Sequence, residues 1–216
     1  MPMKQPLSVR WKGGCRFKML PNILTIGRIV LTPVFIICLF YEAGWAKPLA
    51  LVIFIIAAIT DAWDGHLARK KDMVTKTGEF LDPLADKLLV SSAFISFAIM
   101  GKIPYWMVGL IVFRDLFITG LRMLFVSRGL TMRTSKVAKL KTGVQIFTII
   151  FILMYLSLNI VTFFDVTVIK DSIDQFNLIN YAALLVTFFT VYTGISYLYA
   201  NRATVKEFMT LPRHSE

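Results

Sequence analysis

Cysteine and histidine are scarce in this sequence, which contains Cys15, Cys38 and two histidines among 216 residues. The two thiols are isolated and lack the spacing of metal ligands, so neither a disulfide framework nor a thiolate metal site is predicted. His66 has no second His and no Cys beside it, and is interpreted as a polar residue at the rim of a site rather than a zinc ligand. Internal repeats and low-complexity tracts are also lacking, which favours one domain.

Charged residues are few as well, at 17% of the chain against 56% hydrophobic residues, and the mean hydropathy is +0.67. A soluble globular domain does not carry this balance, so the sequence predicts an integral membrane protein. Backbone in lipid must be hydrogen-bonded within its own segment, and we therefore expect an all-α bundle. Six apolar runs approach the roughly 20 residues that cross a bilayer, namely Asn22–Tyr41, Pro48–Ala68, Phe80–Met100, Pro104–Val126, Thr142–Phe164 and Leu178–Tyr199.

The formal net charge of +11 follows membrane topology rather than a nucleic-acid-binding face. Basic residues cluster before the first run, in segments 69–78 and 128–141, and after the last run. The opposite loops hold one each, Lys47, Lys102 and Lys170. By the positive-inside rule, both termini and the two basic loops are predicted to face the cytoplasm from the inner (cytoplasmic) membrane.

This organisation predicts a basic juxtamembrane segment over residues 1–21, a six-helix domain over 22–200 and a cytoplasmic tail over 201–216. The first eighteen residues favour a short segment lying on the anionic membrane surface, and a flexible basic tail is an equal alternative. A cleaved signal peptide is disfavoured because Arg28 and Pro33 interrupt the apolar run that follows.

Four aspartates meet where the second and third runs join, in the stretch DAWDGHLARKKDMVTKTGEFLDPLADK over residues 61–87. Asp61 and Asp64 are three apart, and Asp82 and Asp86 are four apart, so each pair shares one helical face. The short basic connection should make the two helices antiparallel neighbours and bring the pairs together. Confined carboxylates repel unless cations intervene, so the pattern predicts a site for two Mg²⁺ or Mn²⁺ ions. A structural network of ion pairs is the disfavoured alternative.

Small and basic residues beside the acids favour phosphate chemistry. Gly65 and Gly78 let a ligand approach the backbone, and Ala68 is similarly small. Arg69 can hold a phosphate through two parallel hydrogen bonds. Metal ions and cations together can neutralise charge on transferring phosphoryl oxygens.

The pattern DxxDGxxAR from Asp61, followed after eight residues by GxxxDxxxD from Gly78 to Asp86, resembles the full signature of the CDP-alcohol phosphotransferases. The resemblance implies a six-helix membrane enzyme, usually a homodimer, in which an alcohol displaces CMP from a CDP-linked alcohol. It implies that two metal ions bind to Asp61, Asp64, Asp82 and Asp86. It also implies that Asp86 is the general base on the acceptor hydroxyl, and that the CDP site is lined by Gly65, Ala68, Arg69 and Gly78.

Basic residues inside the predicted spans suggest an acceptor that carries its own phosphate. Arg114 and Arg122 are eight apart, about two turns on much the same face, and Asp115 is their candidate counter-ion. Lys139 and Lys141 flank the fifth run, where snorkelling to lipid headgroups is an equal alternative.

A polar stripe marks the first helix at Asn22, Thr25 and Arg28. Asn22 and Thr25 are candidates for the CDP site and Arg28 for the acceptor phosphate. A hydrogen-bonding seam between helices explains the stripe equally well.

Four segments resemble the bacterial phosphatidylglycerophosphate synthases: PNILTIGR (21–28), EFLDPLADKLLV (79–90), RDLFITGLR (114–122) and KLKTGVQ (139–145). The resemblance implies transfer from CDP-diacylglycerol to sn-glycerol 3-phosphate, with the acceptor phosphate bound by Arg114, Arg122, Lys139 and Lys141. The signature alone does not distinguish acceptor alcohols. A cardiolipin-forming enzyme, or an enzyme that uses inositol phosphate or serine as the acceptor, therefore remains an alternative. A divalent-cation transporter, the alternative from another class, is disfavoured because the outer halves of the runs hold almost no carboxylate.

Overall fold

The computed structural model describes residues 20–68, 78–128, 136–158 and 167–210, with side chains of residues 20–26, 61–68, 78–86, 127, 136–139, 207 and 209–210 outside the description. Within these ranges every regular element is a helix, which confirms the all-α prediction. Two helices have nine residues, α6 (Thr167–Gln175) and α8 (Arg202–Thr210). The others have 21 to 23 residues: α1 (Leu20–Phe40), α2 (Ala46–Ala68), α3 (Gly78–Ile99), α4 (Tyr105–Ser127), α5 (Lys136–Ser157) and α7 (Leu178–Ala200).

The turn between α3 and α4 shows how the sequence ends a helix here. Gly101 has a φ of +69°, the left-handed conformation that glycine adopts without a Cβ clash. Its N–H donates to the carbonyl of Ala98, and the N–H of Lys102 donates to the carbonyl of Phe97, the two bonds of a Schellman motif. Pro104 then takes an extended conformation and starts α4.

The long helices bury their contact faces in one continuous apolar core. Helix α1 packs against α2 and α3, α5 packs against α2 and α7, and α4 packs against α3 and α7. The rings of Phe35 on α1 and Phe54 on α2, both fully buried, meet with centroids 5.7 Å apart. Every large helix is therefore held by at least two others.

The sequence predicts that α2 and α3 are antiparallel neighbours whose paired acids face each other, and the side chains that would test this lie outside the description. In the described residues, both lie mainly against α1, and α5 touches each of them. The connection over residues 69–77 does not force direct contact, because nine extended residues reach about 30 Å. A cleft between α1, α2, α3 and α5 lies beside both helices.

Helix α5 is displaced along the chain from the apolar run predicted at Thr142–Phe164, since it begins at Lys136 and ends at Ser157. Hydropathy windows miss its first turn because lysines there are polar, although their backbone groups form helical hydrogen bonds as well as any others. Helices α6 and α8 were likewise not anticipated, because their sequences are too polar to appear as apolar runs.

The outer faces of the bundle are strongly apolar. Phe188 is 74% exposed and Phe147 72% exposed, and large aliphatic side chains surround them. Monomeric soluble proteins rarely expose such surfaces. By length and composition, the segments Leu140–Ser157 and Leu178–Ala200 can each cross a membrane, and shorter apolar helices occur at Gly27–Phe40, Ala46–Thr60 and Lys87–Ile99.

Candidate functional site

The signature residues lie at two helix ends. Asp61, Asp64, Gly65 and Ala68 lie in the last turns of α2, and Gly78, Asp82 and Asp86 in the first turns of α3. Helical backbone at these positions supports a shared face for each pair of acids. Arg69 lies outside the described residues, and the side chains of the other signature residues, of Asn22 and Thr25 on α1 and of Lys139 on α5 also lie outside the description. Their contacts therefore stay predictions.

No cluster of three metal-ligating side chains occurs where the structure describes side chains. The side chains of Asp61, Asp64, Asp82 and Asp86 lie outside that description, and their metal site stays a prediction.

A small cleft opens between α1, α2, α3 and α5. Its walls are mostly apolar, and Arg28, Lys87 and Thr142 contribute the polar groups. Ala57 lines it one turn before Asp61 on α2, and Lys87 directly follows Asp86 on α3. The cleft therefore adjoins both ends that carry the signature. We call it the basic cleft; its remaining lining residues are Phe54, Ala58, Leu89, Val90 and Ile146.

A buried polar network lies beside this cleft, centred on Asp115 of α4. The carboxylate, 3% exposed, accepts hydrogen bonds from Lys141 Nζ and from Gln145 Nε2, the latter at 3.0 Å. Arg114 Nη1 donates to Asp115 Oδ1 at 3.2 Å. Asp115 is thus a counter-ion of Arg114, as the sequence predicted, and also of Lys141, which the sequence had not paired with it. Gln145 was missed, although it lies in the quoted segment KLKTGVQ.

Helix α7 completes the network. Arg114 Nη2 donates to Thr193 Oγ1 at 3.1 Å, and that hydroxyl donates to the carbonyl of Thr190 at 2.9 Å. Tyr197, one turn further on, is buried and lies within electrostatic range of Arg114 and Arg122. We call Arg114, Asp115, Lys141, Gln145 and Thr193 the Asp115 network.

Sequence reasoning gave α7 no role in a site, although a signal was present. Thr187, Thr190, Thr193 and Tyr197 recur at spacings of three and four on a mostly apolar helix, and all four are buried. Polar residues on one face of an apolar helix indicate contacts with neighbouring helices. The stripe could therefore have predicted a polar interface, though not its partner.

The electrostatics of this region favour an anion. With both bases protonated, Arg114 and Lys141 place two positive charges against the one negative charge of Asp115, which leaves one positive charge in a mostly buried cluster. Lys141 also lies within electrostatic range of Lys87 of the basic cleft, and the next residue, Thr142, lines that cleft. Arg122 lies two turns beyond Arg114 with an exposed side chain. Opposite charge in a confined site attracts phosphate strongly.

The chain matches the CDP-alcohol phosphatidyltransferase family over residues 18–191. It is 44% identical over 144 residues to a probable phosphatidylglycerophosphate synthase of Mycobacterium tuberculosis, covering 65% of this chain and 68% of that one. It is 35% identical over 200 residues to the CDP-diacylglycerol–glycerol-3-phosphate 3-phosphatidyltransferase of Bacillus subtilis, covering 87% and 97%. A Rickettsia typhi protein of the same name is 38% identical over 132 residues, covering 61% and 74%.

The family match over residues 18–191 includes both helix ends that carry the signature and the positions of Asp115 and Lys141 on α4 and α5. The chain therefore belongs to the CDP-alcohol phosphatidyltransferase family.

Proposed function

We propose that this protein transfers the phosphatidyl group of CDP-diacylglycerol to sn-glycerol 3-phosphate, giving phosphatidylglycerol phosphate and CMP. The observation that carries the proposal is the complete signature at and between the ends of α2 and α3, beside a cleft that holds two cations. Relatives covering most of the chain are named for this reaction. An apolar cleft with cationic groups suits a lipid donor whose headgroup is a pyrophosphate.

The four signature aspartates have the chemistry to hold two divalent metal ions, Mg²⁺ or Mn²⁺. Carboxylate oxygens are the ligands that these hard cations prefer, and the helical spacing aligns each pair. When bound, the ions would neutralise charge on the pyrophosphate of the donor. The proposed ligands are Asp61, Asp64, Asp82 and Asp86.

Asp86 is the proposed general base. Its carboxylate accepts the proton of the acceptor hydroxyl as that oxygen bonds to the phosphatidyl phosphorus, and the bond from this phosphorus to the oxygen of CMP breaks. The electron pair of the broken bond leaves with CMP. Residues proposed to surround the CDP group are Asn22, Thr25, Gly65, Ala68, Arg69 and Gly78.

The acceptor phosphate is proposed to bind at the Asp115 network. An ammonium has three N–H donors and a guanidinium has five, so the bonds to Asp115 and Thr193 leave donors on Lys141 and Arg114 for phosphate oxygens. Asp115 keeps both cations in place while no ligand is bound. The proposed ligands beyond these two are Arg28, Arg122 and Lys139.

The membrane arrangement is part of the proposal. Helices of 21 to 23 residues extend about 32–35 Å, enough to cross the hydrocarbon core, which supports six spans. The basic loops support cytoplasmic termini and a cytoplasm-facing site in the inner membrane. We also propose that the chain divides into segments 1–21, 22–200 and 201–216. The protein is further proposed to form a homodimer, as the family resemblance implies.

Purified protein tests the reaction directly. CDP-diacylglycerol with Mg²⁺ or Mn²⁺ is supplied with one acceptor at a time: glycerol 3-phosphate, phosphatidylglycerol, inositol phosphate or serine. We expect CMP release with glycerol 3-phosphate only, and none after chelation of the metal. Turnover without metal, preference for another alcohol, or no turnover with any of them would contradict the proposal.

A further inference from the structure

Gly194 of α7 lies directly against the side chain of Arg114. A Cβ at position 194 would lie 3.0 Å from Arg114 Cγ and 3.1 Å from Arg114 Nε. Ordinary contacts between such atoms are about 3.5–4.0 Å, so any side chain at 194 requires Arg114 to move. Glycine is unfavourable in a helix interior relative to alanine. The close approach of Arg114 gives this position a reason for glycine.

Arg114 has little freedom to move away. Its stem is attached to α4, and its guanidinium is held by Asp115 Oδ1 at 3.2 Å and Thr193 Oγ1 at 3.1 Å. Both distances are already at the long end of the range for N–H···O hydrogen bonds. The atoms nearest to Gly194 lie in the middle of the side chain, so rotation of the tip cannot relieve the contact. A shift of a few tenths of an ångström would break one of the two bonds.

We propose that Gly194 is a positioning residue, through which the backbone of α7 sets the place of the Arg114 guanidinium and thereby the affinity for the acceptor phosphate. The inference rests on the proposed function, in which Arg114 binds that phosphate. Thr193 supports it from the neighbouring position, because its hydroxyl proton is committed to Thr190 and its lone pairs accept from Arg114. Neighbouring residues of α7 thus act together on Arg114: Gly194 leaves room for its side chain, and Thr193 accepts a hydrogen bond from its guanidinium.

Other described helices offer matched controls. A Cβ added at Gly109 or Gly120 of α4, or at Gly143 of α5, would meet no described atom within 4 Å beyond the neighbouring backbone of its own helix. Gly109 is exposed and lies on the same helix as Arg114, one turn and a residue before it. Gly109→Ala therefore adds the same methyl group without touching the network.

The test compares steady-state kinetics of Gly194→Ala and Gly109→Ala. Displacing one hydrogen bond to a charged group should raise the KM for glycerol 3-phosphate about tenfold in Gly194→Ala. The KM for CDP-diacylglycerol should stay unchanged, and Gly109→Ala should match the wild type for both substrates. Equal rises in both KM values, or no rise, would overturn the inference.

A double-mutant cycle separates positioning from a general effect on structure. Once Arg114→Ala has removed the side chain, adding Gly194→Ala should raise the KM no further. If Gly194→Ala alone fails to fold, the double variant should recover the fold, because the clash is gone. A full Gly194→Ala effect in the Arg114→Ala background, or a double variant that still fails to fold, contradicts the inference.

The wild-type assay is read first and tests the proposed function by itself. If the wild type does not turn over glycerol 3-phosphate, the proposed function is wrong. The role of Gly194 can then still be tested, because the same double-mutant cycle can be measured as midpoints of thermal unfolding. Additive shifts in the midpoint would then overturn the positioning role.

Discussion

Asp115 is the residue on which the energetics of the buried network depend. Two cations from different helices converge on one carboxylate that is 3% exposed. A buried ion pair is stable only while both partners remain, because a buried charge left alone has lost its hydration without compensation. Gln145 stabilises the second oxygen through a neutral donor at 3.0 Å.

Asp115→Asn should destabilise the protein by about 3 kcal/mol, since it leaves Lys141 buried without its counter-ion. The measurement is the midpoint of thermal unfolding in detergent. Combining it with Lys141→Met should recover much of the loss, because no buried charge then remains unpaired. Asp171→Asn, at an exposed position of α6, is the control and should change nothing. Equal midpoints for Asp115→Asn and the wild type would contradict a structural role for the pair.

Binding experiments should distinguish the role of Asp86, the proposed general base, from that of Asp61, a proposed metal ligand. Asp86→Asn should keep CDP-diacylglycerol binding better than turnover, because it removes the proton acceptor. Asp61→Asn should weaken metal binding itself, which titration with Mn²⁺ detects by its paramagnetic resonance signal. Equal loss of Mn²⁺ binding in the two variants would argue against a distinct role for Asp86.

At the scale of elements, α5 joins two different polar sites. Lys141 near its start belongs to the Asp115 network, whereas Tyr155 near its end donates to Asp174 of α6 at 2.7 Å. The ammonium groups of Lys102 and Lys170 lie 5.3 Å and 5.7 Å from the centroid of the Tyr155 ring, within the range of cation–π attraction. These contacts tie α6 to the bundle at the end of α5 away from the network.

Tyr155→Phe should lower stability by about 1 kcal/mol, because it removes one hydrogen bond to a carboxylate that solvent can still reach. The KM for glycerol 3-phosphate should not change, since the contact lies at the opposite end of α5. Tyr192→Phe, at an exposed position of α7, serves as the matched control. A changed KM in Tyr155→Phe would indicate that α6 influences the site, contrary to this account.

At the scale of the whole molecule, apolar and polar side chains lie in different regions. The outer faces are apolar, whereas the signature ends of α2 and α3, the basic cleft and the Asp115 network adjoin one another. A lipid donor and a charged, water-soluble acceptor can meet only at a membrane surface. The proposed reaction therefore requires this end of the bundle to lie at the cytoplasmic interface.

Cysteine labelling tests that orientation in a background without Cys15 and Cys38. A membrane-impermeant maleimide should label Glu42→Cys and Asp171→Cys in intact spheroplasts, because both positions are exposed and predicted to face outward. Lys206→Cys on α8 should react only after permeabilisation. The reverse pattern would invert the topology, and labelling of all three positions in intact spheroplasts would contradict six spans.

The sequence by itself determined the helical class, the approximate bounds of the long helices and the family. These depend on local information, because an apolar run of about 20 residues and a signature with fixed spacing are each contained in one stretch of chain. Even here, the polar first turn of α5 and the short helices α6 and α8 were missed, since hydropathy does not measure helix formation.

Only the tertiary structure decided which helix faces meet. It opened a cleft between α1, α2, α3 and α5, paired Lys141 with Asp115 across 26 residues, and brought Arg114 to Thr193 across 79. It also placed Gly194 against Arg114, which no motif predicts. Such contacts depend on the rotation of each helix about its axis and on the spacing between helices, and both are set by packing of the entire bundle rather than by any single segment.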